Sequence, residues 1–136
     1  MSVFRRFRGE RGSLLVEASL SAMLLMTLLA GIVEAGQLLY DTAWISNMAR
    51  QSSRYAMVRG SASTRAITAA QMTTYAQGIA GGLNTSNMTV TTTWSPNNAP
   101  GSTVKVKIQY TFHGYLPFLP INTVTLQSSS QMVISQ

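Results

Sequence analysis

The sequence contains no cysteine, so disulfides, thiolate metal sites, iron–sulfur clusters and thiol nucleophiles are all excluded. It has one histidine, His113, which leaves histidine-based zinc sites and serine–histidine triads without their parts. Acidic residues are scarce, four against ten Lys plus Arg, and none lies beyond Asp41. Paired-carboxylate hydrolysis, two-metal chemistry and calcium loops need carboxylates that the last 95 residues do not supply. With 136 residues in all, the chain offers at most one small domain beyond its first forty positions.

Those first positions are organised differently from the rest. The opening stretch MSVFRRFRGERG carries four arginines and one glutamate. Between Glu17 and Glu34 lie sixteen uncharged residues rich in Leu, Met and Ala. Residues 14–34 therefore read as a membrane span of about 20 residues, with the basic end cytoplasmic and the remainder sent across. An Ala-x-Ala-like signal-peptidase site followed by a free domain is not the pattern, because helical sequence continues to about Val58.

Glu17 is the informative position, since a carboxylate within an apolar span needs a partner or an interface. Cleavage after Gly12 would give Ser13 a new α-amine four residues from Glu17. That amine and carboxylate could then pair within one chain or between chains offset by about a turn. Gly12 would keep such a junction flexible and uncluttered. Thr27, Gly31 and Ala35 recur every four residues, as do Ala18 and Ala22, a spacing that lets helices approach closely in lipid. Glu34 marks the outer edge of the span, and Asp41 shares its face seven residues on, with Gln37 between. Tyr40 and Trp44 suit an interfacial aromatic belt.

The stretch RGSLLVEASLSAMLLMTLLAGIVEAGQLLYDTAWISNMARQSSRYAMVRG resembles the N-terminal region of the TadE-like pilins, minor pilins or pseudopilins of the bacterial tight-adherence (Tad/Flp) type IV pilus system. The resemblance rests on Gly12 and Glu17, on Glu34 with Gly36, and on Ala49, Arg50, Ala56 and Val58. Where the family commonly has an aromatic after each glutamate, this chain has Ala18 and Ala35. Ser13 replaces the phenylalanine that often opens a mature classical pilin. The resemblance implies a structural subunit made as a prepilin-peptidase substrate, with Glu17 and Glu34 serving assembly. It further implies other pilin subunits and an inner-membrane assembly platform as partners, besides the bilayer, and a role in adhesion.

Beyond the span, the first helix is expected to carry a stripe of Trp44, Met48 and Tyr55 for core packing, with Asn47, Arg50 and Arg54 on a polar one. Gly60 and Ser61 read as a C-cap and the next N-cap, and a second helix is expected over residues 62–77. Residues 83–87 read as loop, although Asn84 and Asn87 each match the glycosylation acceptor pattern, which arises often by chance. Three strands follow. Residues 88–94 direct Met88, Val90, Thr92 and Trp94 one way. Residues 103–112 direct Val104, Val106, Ile108, Tyr110 and Phe112 one way and Lys105 and Lys107 the other. The last strand aligns Val124, Leu126, Ser128, Ser130, Met132 and Ile134. HGYLPFLPI is an interruption, since its two prolines cannot sit in a central strand.

The expected fold class is α+β: a basic leader at 1–12, a long helix at 13–59, and a small extracytoplasmic domain at 60–136 with a second helix and a three-stranded antiparallel sheet. No catalysis and no cofactor or metal is expected, because Lys105 and Lys107 alternate with core residues and face solvent. His113 adjoins Gly114 at a strand end and reads as an ordinary residue leading into the loop. Six Lys/Arg without an acid favour anionic surfaces or an acidic partner subunit. Specific nucleic-acid binding is disfavoured by the lack of interleaved surface aromatics. Two function classes stand: a cleaved pilin-like subunit of the inner membrane and pilus, and an uncleaved bitopic membrane protein carrying an adhesin-like or accessory binding domain. Ser13 or Met1 as the N-terminus of the extracted protein distinguishes them.

Overall fold

The computed structural model describes residues 7–115 and 123–135, with side chains from residue 12 onward. Residues 1–6 of the leader, and residues 116–122 with most of the proline-containing interruption, lie outside the described residues. The element order is α1 (Phe7–Met57), α2 (Ala69–Gly78), a 3-10 turn (Thr85–Asn87), then β1 (Met88–Ser95), β2 (Thr103–His113) and β3 (Thr123–Val133). This is the expected α+β set, with one long apolar helix, a second helix and three antiparallel strands. The chain divides into two compact units, Met1–Gly36 and Gln37–Gln136.

In the first unit the backbone is helical from Phe7, so α1 runs through the Gly12–Ser13 junction without a break. Its large apolar side chains are turned outward: Leu20, Met23, Leu24 and Met26 are each exposed by about two thirds. The helix is long and apolar enough to cross a membrane, and its most apolar stretch is not buried by the rest of the chain. Water would not tolerate such a surface unpaired, whereas hydrocarbon solvates it.

In the second unit the sheet order is β1-β2-β3, so β2 is central and pairs with both neighbours. The period-two pattern sorts its faces as expected: Val104, Val106, Ile108, Tyr110 and Phe112 are buried, whereas Lys105 is exposed and Lys107 half-buried on the opposite face. Register places Ile108 between Val90 of β1 and Ser128 of β3. Against this face α1 contributes Ile45, Met48, Ala49 and Ala56, and α2 contributes Met72.

The buried seam of α1 is Asp41, Ile45, Met48, Ala49, Ser52, Ser53 and Ala56, the 3.6-residue stripe of a half-buried helix. This revises the expected stripe, because Trp44 and Tyr55 only flank the seam and are half-buried. Small residues dominate it where β3 is also small. The Ser53 hydroxyl donates to the Ser130 carbonyl at 3.0 Å, bringing helix and strand close without bulk between them.

α2 begins seven residues later than expected. A capping box needs Glu or Gln three residues after the Ser or Thr. Thr68 has Gln71, whose amide N–H donates to the Thr68 hydroxyl at 3.3 Å and whose side chain accepts from Thr68 N–H at 3.0 Å. Ser61 has Thr64 at the equivalent place, so residues 61–67 form turns instead, held by Ile67 N–H to the Arg59 carbonyl at 3.0 Å. Residues 85–87, expected as plain loop, form a 3-10 turn capped by the Asn84 side chain, which accepts from Ser86 N–H.

Candidate functional site

Two places carry unusual chemistry. The first is the N-terminal part of α1. Gly12 is helical and open, with nothing within 4 Å of where a Cβ would stand. Ser13 and Glu17 are exposed and one helical turn apart, so they lie on similar faces. Thr27, of the small-residue stripe, turns its hydroxyl back to the Met23 carbonyl at 2.9 Å, which removes its polarity from the helix surface. A Cβ at Gly31 would meet nothing within 4 Å, and Ala35 is exposed, so the stripe presents a flat face. Glu34 is half-buried and engaged in an interaction of its own.

The aromatics expected at the interface lie in the second unit. Tyr40 and Trp44 stack with centroids 5.9 Å apart and 19° between planes. Trp44 also seats against Gly81, whose φ of +59° and missing side chain make room for the indole. Further along α1, Tyr55 is sandwiched between Tyr75 of α2, at 3.8 Å, and the Arg59 guanidinium, at 3.6 Å.

The second place was not singled out from sequence. Asp41 occupies the first position of the buried α1 seam, where the period calls for an apolar residue, and is only 2% exposed. It is the only carboxylate side chain of Gln37–Gln136. It forms one wall of a cleft of about 210 Å³ completed by Gln37, Asn84, Asn87, Tyr110, His113 and Tyr115, among others. Gln37 Nε2 donates to Asp41 Oδ1 at 3.0 Å. Burial pushes the Asp41 carboxyl above its ordinary value, and the Gln37 bond only partly offsets this. The Tyr110 phenol is also pushed up, by burial first and by the Asp41 charge second. The two groups thus sense each other across the cleft. His113 stands at the strand end, as the last residue of β2, and its Nδ1 lies 3.3 Å from Asn87 Nδ2. The signals available in sequence were Asp41 on the core phase of its helix and Gln37 four residues before it. The rest of the cleft comes from distant segments.

Among the described residues no group of three His, Asp or Glu side chains gathers to hold a metal. Lys105 and Lys107 remain on the outward face of β2, away from Asp41's side of the sheet.

These features define a small α+β protein built on one helix of membrane-spanning length. Residues 12–54 match the model of the family described as TadE-like protein. No curated protein and no solved structure matches the chain.

Proposed function

We propose that this chain is a pilin-like structural subunit, a minor pilin or pseudopilin, taking part in assembly of a tight-adherence type IV pilus and in surface attachment. The observation that carries the reading is the match over residues 12–54, which covers the Gly12–Ser13 junction, Glu17 and the apolar part of α1 together. Physical chemistry supports the same direction. Helix α1 carries an exposed apolar surface that lipid or neighbouring helices would cover, interrupted by one carboxylate early in the run. A carboxylate in that setting costs ~3 kcal/mol on insertion scales, a cost that a neighbouring amine reduces.

In this reading a prepilin peptidase cuts after Gly12, and the Ser13 amine and Glu17 set the stagger between subunits. Thr27, Gly31 and Ala35 let helices approach. The N-terminus faces the cytoplasm, the second unit lies outside the inner membrane, and other pilin subunits and the inner-membrane assembly platform are the partners. Mass analysis of the protein extracted from its native membrane tests this. A mature chain starting at Ser13, and accumulation of a form 12 residues longer when Gly12 is replaced by a bulky residue, are the expected results. A chain starting at Met1 in the wild type would favour the bitopic binding module instead.

A further inference from the structure

We propose that the Asp41 cleft is a binding site for an organic cation, a guanidinium or ammonium head, independent of whether the chain enters a filament. Three features of the second unit converge on this. The first is the carboxylate itself. An ionised carboxylate is an acceptor with about four lone-pair sites, and Asp41 is shielded from bulk water while taking one neutral amide bond, from Gln37. A structural acid in such a seam would normally be met by Lys or Arg. None of the unit's six cationic side chains forms an ion pair with it among the described residues, and none lines the cleft.

The second feature is the shape. The cleft holds about 210 Å³, the room of about seven waters, which admits one side-chain head and excludes a macromolecular surface. The third is the rim. Asn84, Asn87 and Gln37 bring side-chain amides, Tyr110 brings a phenol, and Phe112 and Tyr110 bring aromatic rings to the lining. Polar groups and aromatic rings around one carboxylate form a surround for a delocalised or multi-donor cation, which gains charge-assisted hydrogen bonds in a partly desolvated place. A phosphate or carboxylate ligand would meet the Asp41 charge with no Lys or Arg to offset it.

The cation has two available sources: a Lys or Arg of a second copy, whose second unit carries six cations and this one acid, or a separate molecule. The experiment uses the full chain, 15N-labelled, in detergent micelles. Methylguanidinium chloride is titrated in and the side-chain amide resonances of Gln37 and Asn87 are followed, with sodium chloride as the ionic-strength control. Saturable shifts with methylguanidinium alone, abolished in Asp41→Asn and tightened several-fold in Asn87→Asp, are expected. Asn at 41 keeps the acceptor for Gln37, and unchanged Trp44 and Trp94 fluorescence checks that the variant is folded. Absence of shifts, equal shifts with sodium chloride, or shifts that persist in folded Asp41→Asn would overturn the site. In a second arm, excess unlabelled chain is added to dilute labelled chain. The same shifts there assign the cation to a second copy, and their absence beside a positive methylguanidinium result assigns it to a separate molecule.

Discussion

Replacing Ile108 by alanine tests the placement of the sheet most sharply. Ile108 is fully buried at the middle of the central strand, between Val90 and Ser128. The change removes three carbons. At about 0.8 kcal/mol each, transfer alone gives roughly 2.4 kcal/mol. A cavity contribution adds to it, because buried large-to-small changes cost ~2–5 kcal/mol according to how far neighbours relax inward. Relaxation is limited here. Ser128 is short and polar, and α1 is held to β3 by the Ser53–Ser130 bond rather than by a mobile side chain. A cost in the upper half of that range is therefore expected. Lys107, one residue away on the opposite face, should cost within ~0.5 kcal/mol when truncated to alanine. Both tryptophans lie in the second unit, so Trp44 and Trp94 fluorescence during denaturation of the full chain in micelles reports this unit alone. Equal losses for the two variants, or a larger loss for Lys107→Ala, would refute the facing of β2.

Gly81→Ala should destabilise the same unit by about 2–4 kcal/mol, since the new Cβ collides with the Trp44 indole and φ is +59°. The Trp44 emission should shift as the ring is displaced, and an unchanged spectrum with unchanged stability would argue against the contact. Asp41 gives a pH prediction of definite sign. Its carboxyl is raised by burial, so the folded chain holds that proton more tightly than the unfolded chain. Stability contributed by this group is thus greatest in acid and falls as pH rises from the ordinary Asp range, ~3.9, through the folded value. Asp41→Asn should raise the unfolding midpoint near neutral pH, with the gain vanishing in acid. A destabilised variant at neutral pH would mark Asp41 as a structural carboxylate.

Much of this architecture is written in local pattern. The β2 alternation is strict, so Val104 to Phe112 could be assigned to one face before any neighbour was known. The apolar run from Leu14 is long enough to need only counting. α2 was misplaced because Ser61 after Gly60 imitates a helix start, whereas the reciprocal Thr68–Gln71 bonds decide it. The Asp41 cleft was invisible for a different reason. Asn84, Asn87, Tyr110 and His113 have no shared sequence period with Gln37 and Asp41, and only the folding of β2 against α1 and the 3-10 turn brings them together. The clue that remained was a carboxylate standing on a core phase.

In the proposed reading Glu17 serves assembly and contributes little to folding. Glu17 is exposed on α1, within the first compact unit, and the first buried residue of the second unit is Asp41. The deciding measurement is crosslinking or co-purification of the chain with neighbouring pilin subunits in native membranes, comparing wild type with Glu17→Gln at matched expression. The expected result is a normal level, normal processing and an intact second unit, with association to other pilin subunits lost. Association equal to wild type would contradict the account and leave Glu17 a bystander at the membrane surface.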